Sequence, residues 1–497
     1  MPLRLGIDIG RLYTRAVILD ETPAVRYSFE VATDGNAVQS MARVCSYLGS
    51  KIQPPEVVNH VSVGSYELGR LEEFAGTLSS VAVIRIGPPS MSSLAPMLGW
   101  PPWINVPESS LLIAAGGHTY DGQKLQSLDT EAIRQFVARE AARTDAFAVS
   151  AVFSPVAPSH ELQCQEIIQE VAGLTATVSL SHHIGSLGFL ERENAALLNS
   201  SLVRECTQRI QRYELVLQNA GIKAPLFFMK GDGSVMSSRY AREWPIGLMG
   251  EEAACAIRGA LYISKHKDDS IVVSLGDERI YVGSVANGMF REKTHTQISG
   301  IDTGLRSPDV IELPGGRDIL ASTDAQGRIL SPFEGSATVQ EEMQAPLAID
   351  CSEPGNQTLD TWSLLVEAID QQKDRSRLVT VVAAGESRVY IPDDLPGVDR
   401  VLHLGNGEFV SAVGVGAAEV IGRSDRIYTV AGGTPGGLLQ SARRVAEMNA
   451  MIAGANPEQL HLIEEESVPL AYLPQQAIRV TVLVAGPPDS PGVGFNQ

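Results

Sequence analysis

The feature that most constrains this fold is a strand–turn–strand pattern that occurs twice. The first copy spans residues 8–19 within GIDIGRLYTRAVILD, and the second spans residues 272–285 within IVVSLGDERIYVGSV. In each copy an apolar strand enters a glycine-containing turn and returns as a second apolar strand. The repetition indicates an internal duplication in which each hairpin opens one lobe of the protein.

Around both hairpins, short β-branched runs alternate with amphipathic helical stretches, which predicts an α/β fold. Strands are predicted at 57–63, 81–86, 111–115, 146–153, 176–180, 225–229, 378–384 and 477–486. Helices are predicted at 130–144, 159–172, 191–221, 251–263 and 438–454.

A chain of 497 residues exceeds what one hydrophobic core usually serves. We therefore predict two lobes, residues 1–190 and 191–486, with the boundary at the long helix. Residues 322–360 lack periodicity and are predicted to form an irregular insertion, and residues 487–497 a disordered tail.

The charge balance restricts the partners. With 58 acidic and 39 basic residues the net charge is -19, which argues against nucleic acid or an anionic membrane as partner. No apolar run approaches the roughly 20 residues of a membrane-spanning helix, and the N-terminus lacks a signal-peptide pattern. Five widely spaced cysteines without a CxxC motif are typical of reduced thiols. These features predict a cytoplasmic protein.

The hairpins also have a chemical interpretation. Two strand–turn–strand units that open two α/β lobes are the arrangement of actin-like ATPases. Glycines let main-chain N–H groups approach phosphate oxygens, hydroxyls donate hydrogen bonds, and carboxylates act through Mg²⁺. Asp8, Gly10 and Thr14 are such residue types, although a purely structural turn uses the same Asp-x-Gly pattern.

Longer motifs carry a family resemblance. GGHTYDGQKLQSLD (116–129), AVFSPVAPSHE (151–161), SLSHHIGSLGFLERENAALLNSSL (179–202), PLFFMKGDGSVMS (225–237) and LPGVDRV (395–401) together resemble the hydantoinase A/oxoprolinase family. The likeness runs from about residue 4 to about residue 484. It implies an α/β fold of two actin-like (ribonuclease H-like) lobes with mixed sheets flanked by helices.

The resemblance also implies a function. Members of this family use ATP to activate the oxygen of a cyclic amide, such as hydantoin or 5-oxoproline, for ring opening, or to activate a ketone for carboxylation. They commonly work with a hydantoinase B-type subunit. For this chain it implies ATP and Mg²⁺ as cofactors, a small-molecule substrate, and a hydantoinase B-type partner or a homo-oligomer.

Six residues are the candidate site. The resemblance and the hairpins make Asp8 and Asp232 the candidate catalytic residues, and Gly10, Thr14, Gly276 and Gly385 the candidate ATP-binding residues. Asp232 follows the strand at 225–229, where α/β proteins place ligands. The histidines, including His182 and His183, have no spacing typical of metal ligands, so no metal site is predicted. For Glu191 to Asn194, at the start of the long helix, capping and polar contacts between the lobes are the favoured interpretation.

The loops expected to touch ATP depart from the family pattern. In the first hairpin, Arg11, Leu12 and Arg15 stand where the family has Gly, Thr and Asp. The second hairpin, residues 274–281, lacks both family carboxylates, and Glu251-Glu252 replaces a Ser-Gly-Pro sequence before a helix. The later glycine-rich run is reduced to Gly385.

Three functions therefore stay open. The first is an ATP-dependent hydrolase or activator of cyclic amides with a remodelled nucleotide site. The second is a non-catalytic family member that binds a partner subunit. The third is an ATP-independent enzyme that acts on a different small molecule.

Overall fold

The computed structural model describes residues 2–22, 24–52, 56–88, 91, 93–104, 110–184, 188–276, 278–293, 296–314, 361–373, 377–429, 435–470 and 477–490. The insertion predicted at 322–360 lies outside these residues. The chain divides into two compact units, one of residues 1–262, 292–308 and 411–497 and the other of residues 263–291 and 309–410.

The strands are β1 (Pro2–Ile9), β2 (Tyr13–Leu19), β3 (Val25–Ala32), β4 (Val57–Ser65), β5 (Val81–Ile86), β6 (Ser110–Ala114), β7 (Ala146–Ala151), β8 (Thr177–Leu180), β9 (Leu226–Met229), β10 (Val235–Ser237), β11 (Ser270–Leu275), β12 (Arg279–Ala286), β13 (Met289–Phe290), β14 (Glu292–Lys293), β15 (Gln297–Ile298), β16 (Ile301–Asp302), β17 (Ser307–Pro308), β18 (Val310–Pro314), β19 (Val379–Gly385), β20 (Val398–His403), β21 (Val420–Thr429), β22 (His461–Leu470) and β23 (Ala477–Gly486).

The α-helices are α1 (Ala37–Gly49), α2 (Tyr66–Gly69), α3 (Thr130–Glu140), α4 (Ser159–Ala172), α5 (Ser181–Ile184), α6 (Phe189–Asn219), α7 (Ser238–Glu243), α8 (Glu251–Ser264), α9 (Thr361–Gln371), α10 (Val410–Ala417) and α11 (Pro435–Ala453). The strands and helices predicted from the sequence are confirmed, with ends shifted by a few residues.

The central sheet of the first unit is built around the first hairpin. Its strand order is β10-β9-β4-β1-β2-β3. Strands β1 and β2 are antiparallel, whereas β1, β4 and β9 are mutually parallel. The carboxyl ends of three parallel strands therefore meet at one edge of this sheet.

The second unit repeats this arrangement around the second hairpin. Its sheet has the order β13-β12-β11-β19-β20, with β18 also paired to β12. Strands β11 and β12 are antiparallel, and β11, β19 and β20 are parallel. Both sheets thus have an antiparallel hairpin followed by parallel strands, which confirms the α/β fold class of two actin-like lobes.

Two further sheets belong to the first unit. Strands β6-β5-β7-β8 form a parallel sheet, and β21-β23-β22 form an antiparallel one. Helix α6 lies in this unit, and residues 195–202 of it are buried without interruption. A helical stretch that is buried on all sides packs between other elements rather than at a surface.

Two C-terminal features were not predicted. Strand β22 is exposed on both faces along most of its length, so it lacks the apolar alternation that reveals a strand. Residues 487–490, expected to begin the tail, form hydrogen bonds: Asn456 N–H donates to Pro487 O at 2.9 Å and Asp489 N–H to Gly454 O at 2.8 Å. Residues 491–497 lie outside the described part.

Candidate functional site

The two hairpins close in the same way. The N–H of Gly10 donates to the carbonyl of Tyr13 at 2.9 Å, and the N–H of Gly276 donates to the carbonyl of Arg279 at 3.0 Å. Each bond joins a glycine at the end of the first strand to a residue three positions later. The duplication inferred from the sequence therefore extends to the hydrogen bonding of the turns.

Thr14 supports the first turn from inside the protein. Its hydroxyl is fully buried and donates to Ser40 Oγ at 2.7 Å, and it lies 3.0 Å from Thr33 Oγ1. The Thr33 hydroxyl in turn donates to the carbonyl of Gly10 at 2.8 Å. The exposed tip of the turn is formed by Arg11 and Leu12, the latter 49% exposed.

Asp8 lies near the carboxyl end of β1, beside Gly64 in the register with β4. A Cβ placed on Gly64 would lie 3.7 Å from Asp8 Oδ1 and 3.3 Å from Cys255 Sγ, so the glycine leaves room for both side chains. Burial raises the pKa of the Cys255 thiol well above its ordinary value, and the charge of Glu251 raises it further. Cys255 is therefore a neutral packing residue beside Asp8.

Glu251, at the first position of α8, has its carboxyl group buried against this edge. Its Oε1 accepts a hydrogen bond from Ser65 N–H at 3.0 Å, and its Oε2 has no hydrogen-bond partner among the described residues. The carboxyl group lies directly against Gly69. Burial raises the pKa of Glu251 well above its ordinary value, and the charges of Glu252 and Asp8 raise it further. The folded chain therefore holds the Glu251 proton to a higher pH than the unfolded chain does.

Glu252, the next residue of α8, is paired with an arginine. Arg70 Nε and Nη2 donate to its two carboxylate oxygens at 2.6 and 3.0 Å. This fork-to-fork geometry is the strong form of an Arg–carboxylate contact. The two glutamates lie at the N-terminal end of α8. The N-terminal end of a helix ordinarily attracts an anion, and here carboxyl groups already occupy that position.

Asp232 lies in the loop after β9, on the same edge of the sheet as Asp8 with β4 between the two strands. Strands are about 4.8 Å apart, so the strands that lead to the two aspartates are separated by about 10 Å. Lys230 Nζ contacts Asp232 Oδ2 at 2.7 Å, and Ser234 N–H donates to its Oδ1 at 3.0 Å. Burial acts to raise the pKa of Asp232, but Lys230 and Ser234 outweigh it and lower the pKa to about 2.

In the second unit, Gly276 and Gly385 are brought together by the pairing of β11 with β19. Gly385 is opposite Leu275, the residue before Gly276. Its φ is +90°, and a Cβ there would overlap the carbonyl of Leu275, so both backbone and space require glycine. Arg388 Nη1 donates to the carbonyl of Gly385 at 2.9 Å and contacts Glu408 Oε2 at 3.1 Å. The edge of the second sheet therefore already carries a paired arginine.

A second group of polar residues, which the sequence analysis missed, lies at the carboxyl end of the four-stranded sheet. Arg85 Nε and Nη2 donate to the Glu193 carboxylate at 2.8 and 2.5 Å, and both side chains are almost fully buried. The other terminal nitrogen of Arg85 donates to the carbonyls of Met91 and Leu94 at 2.7 and 2.6 Å. The pair therefore anchors the loop after β5 to the start of α6.

Glu161 is the centre of an adjoining network. Its carboxylate accepts hydrogen bonds from Ala151 N–H at 2.8 Å, Ser181 Oγ at 2.6 Å and His182 Nδ1 at 2.6 Å. Arg192 Nη1 lies 4.0 Å away and donates to Ser181 Oγ. Burial acts to raise the pKa of Glu161, but its contacts with His182 and the charge of Arg192 outweigh it and leave the pKa below its ordinary value.

These networks change the interpretation of the residues at the start of α6. Arg192 and Glu193, for which capping and polar contacts between the lobes were the favoured interpretation, are buried and make polar contacts with residues before 190, all within the first unit. Among the described residues, no cluster of three or more His, Cys, Asp or Glu side chains is arranged to hold a metal ion.

Comparison with protein families places this geometry in context. A family model described as "Hydantoinase/oxoprolinase N-terminal region" matches residues 4–172, and one described as "Hydantoinase/oxoprolinase" matches residues 192–343. The chain belongs to the hydantoinase/oxoprolinase family. The first match contains Asp8, Gly10 and Thr14, whereas the second contains Asp232 and Gly276.

Two solved structures are similar over nearly the whole chain of this family member. A nucleotide-free acetone carboxylase structure aligns with a TM-score of 0.67 at 13% identity, covering 100% of this chain and 89% of the other. The ATP-dependent caprolactamase from Pseudomonas jessenii aligns with a TM-score of 0.71 at 15% identity, covering 98% and 87%. At these identities the likeness establishes the fold.

Two further findings are negative. No curated protein sequence matches this hydantoinase/oxoprolinase chain. None of the helices in the described residues is both long and apolar enough to cross a bilayer.

Proposed function

We propose that this chain uses ATP to activate a cyclic amide for ring opening. The observation that carries the proposal is the equivalent closure of the two hairpins, by Gly10 in one central sheet and Gly276 in the other. The family membership supports it, and so does the fold shared with a caprolactamase and an acetone carboxylase that are both described as ATP-dependent.

The first hairpin fits a magnesium nucleotide at two points. Asp8 offers the carboxylate oxygen that Mg²⁺ prefers, and Arg11 places a cation in the exposed turn, where it would pair with a phosphate. Thr14 would act on the turn from beneath, through Thr33 and Ser40. When bound, ATP would supply the phosphoryl group that activates the amide oxygen.

The remaining candidate residues have distinct roles in this proposal. In the second unit, the main chain at Gly276 and Gly385 offers the glycine-containing turns that suit phosphate oxygens. Asp232 would orient the substrate, because its contacts with Lys230 and Ser234 hold a fixed, ionised carboxylate.

The N-terminal end of α8 does not fit a phosphate. The Glu251 carboxyl group fills the space beside Ser65 and Gly69, and Glu252 adds a negative charge. A phosphate at that position would be desolvated next to carboxylates, which oppose it electrostatically. The proposal therefore excludes the N-terminal end of α8 from the phosphate contacts.

The same observation favours a second candidate function. A family member with carboxyl groups at the N-terminal end of α8 and an inward-facing Thr14 could retain the fold without nucleotide chemistry. Its role would then be to bind and organise a hydantoinase B-type subunit.

Calorimetric titration with MgATP distinguishes the two functions. The first predicts saturable binding that is lost in Asp8→Ala and retained in Asp268→Ala, which removes an exposed aspartate of the second unit. It also predicts that hydantoin, 5-oxoproline or caprolactam stimulates ATP hydrolysis. Absence of binding at millimolar MgATP rejects the first function.

Co-expression with a hydantoinase B-type subunit tests the second function. A stable complex formed by wild type and by Asp8→Ala alike, together with no MgATP binding, supports it. If neither wild type nor Asp8→Ala forms a complex with the subunit, the second function is rejected.

A further inference from the structure

We propose that a cavity at the carboxyl end of the four-stranded sheet binds a small, uncharged and mainly apolar molecule. The cavity has a volume of about 380 Å³. Its walls include Met91, Leu94, Val152, Phe189 and Leu190, and Arg85 lies at its base. The proposal stands apart from nucleotide binding, because Asp8 and the hairpins contribute nothing to this cavity.

The position of the cavity is one at which α/β proteins bind ligands. Strands β5 and β7 are parallel neighbours and end at Ile86 and Ala151, directly before the loops that carry Met91 and Val152. The start of α6 supplies Phe189 and Leu190 from the other side. Crevices at the carboxyl ends of parallel strands are the usual binding sites of open α/β sheets.

The size and lining select an apolar ligand of modest size. A volume of about 380 Å³ falls at the lower end of the range for small-molecule pockets. Leu94 and Leu190 are 41% and 42% exposed, so apolar surface remains in contact with water at the rim. A ligand that covers these two side chains would remove that surface from water, which is the main source of affinity for an apolar pocket.

The charge balance at the base selects an uncharged ligand. Arg85 is neutralised by Glu193, whose carboxylate also accepts from Ser150 Oγ at 3.1 Å. Arg85 further donates to the carbonyls of Met91 and Leu94. Its charge is therefore matched within the protein, and an anionic ligand would lose hydration without a compensating ion pair.

Two features hold the walls in place. The Phe189 ring lies 5.9 Å from the Arg85 guanidinium carbon and 5.6 Å from that of Arg192, within the range of a cation–π contact. Phe153, next to Val152, has a φ of +53°, which is rare for an aromatic residue and costs about 1–2 kcal/mol. These cation–π contacts restrict the position of the Phe189 ring in the cavity wall.

The test uses saturation-transfer NMR with the full chain and cyclohexanol, an uncharged ring with one hydroxyl group. Leu190→Trp and Leu94→Trp each fill the cavity from one side. Leu215→Trp is the matched control, because Leu215 is an exposed leucine near the other end of α6. Thermal unfolding of every variant establishes that it is folded. Because the two filling variants alter opposite walls, the test still stands if one of them does not fold.

We expect transfer to cyclohexanol in wild type and Leu215→Trp, and a reduction of at least fivefold in both filling variants. Cyclohexanecarboxylate should bind at least tenfold more weakly than cyclohexanol. The proposal is overturned by absent transfer in wild type, by unchanged transfer in the filling variants, or by equal binding of the carboxylate.

Discussion

Glu251 Oε1 accepts a hydrogen bond from the main-chain N–H of Ser65 at 3.0 Å, which joins the first residue of α8 to the last residue of β4. The bond fixes a carboxyl group inside the protein at the edge where the candidate nucleotide-binding residues of the first lobe lie. Its protonation is therefore part of the folding equilibrium.

Replacing Glu251 with Gln should remove a pH dependence of stability. The folded-state pKa of Glu251 is raised, so above the ordinary glutamate pKa the unfolded chain releases a proton that the folded chain keeps. Wild-type stability should then fall by about 1.4 kcal/mol per pH unit from this group as pH rises toward the folded-state pKa. Urea unfolding at a series of pH values from about 5 upward should show the free energy of unfolding of Glu251→Gln rising relative to that of wild type. Glu464→Gln, at an exposed site, should show the same pH dependence of stability as wild type. Parallel curves of unfolding free energy against pH for all three proteins would contradict the prediction.

Gly69→Ala should destabilise the first lobe by about 1–3 kcal/mol, because the new methyl group would overlap the Glu251 carboxyl group. Gly49→Ala, at the end of α1 with open space around it, is the matched control and should be near neutral. Adding Glu251→Ala to Gly69→Ala should recover part of the loss, because contacting residues are not additive. If denaturant unfolding shows that the changes in unfolding free energy of the two substitutions simply add, residues 69 and 251 do not contact each other.

Replacing His60 should flatten stability on the acid side. Burial and the nearby charge of Arg4 lower the pKa of His60 to about 4, so it stays neutral in the folded chain while the unfolded chain takes up a proton below about 6.5. Stability should fall by about 1.4 kcal/mol per pH unit from this group as pH drops from 6.5 towards 4. Chemical unfolding should show that His60→Gln loses less free energy of unfolding than wild type over this pH range. His461→Gln, at an exposed position, should behave as wild type; an equally steep loss in His60→Gln would refute the assignment.

Thr14→Val should lower the free energy of unfolding by about 1–3 kcal/mol, because Ser40 Oγ loses the buried hydroxyl that donates to it and Thr33 Oγ1 loses a polar neighbour. Thr14→Ser keeps the hydroxyl and should lose less than half as much. Calorimetry should find MgATP affinity changed less than threefold in Thr14→Ser. A tenfold loss of affinity in Thr14→Val with unchanged stability would instead make the Thr14 hydroxyl a direct phosphate ligand.

The fold could be predicted because its signals are local. The hairpins at 8–19 and 272–285 are apolar strands around glycine turns, and their parallel neighbours are β-branched runs of ordinary length. Strand β22 escaped prediction because it is paired on one side only and exposed on both faces, so its sequence has no apolar period.

The site could be predicted only in part. The pairing of Leu275 with Gly385 follows from the strand order, which places Gly276 and Gly385 side by side. The Arg85–Glu193 pair could not be predicted, because the two residues are far apart in sequence. The sequence also does not distinguish a buried charged residue from an exposed one. For the same reason, the sequence identifies Glu251 only as an acidic residue before a helix, whereas its burial raises its pKa well above the ordinary value.

The open edge of β22 has a consequence for the behaviour of the protein in concentrated solution. Among the described strands, β22 pairs only with β23, so its other edge is available to a strand of another molecule. Glu464, Glu465 and Glu466 are consecutive there and project alternately to the two faces. Two copies that meet along this edge would bring like charges together on both faces, and this electrostatic repulsion would oppose edge-to-edge pairing through β22.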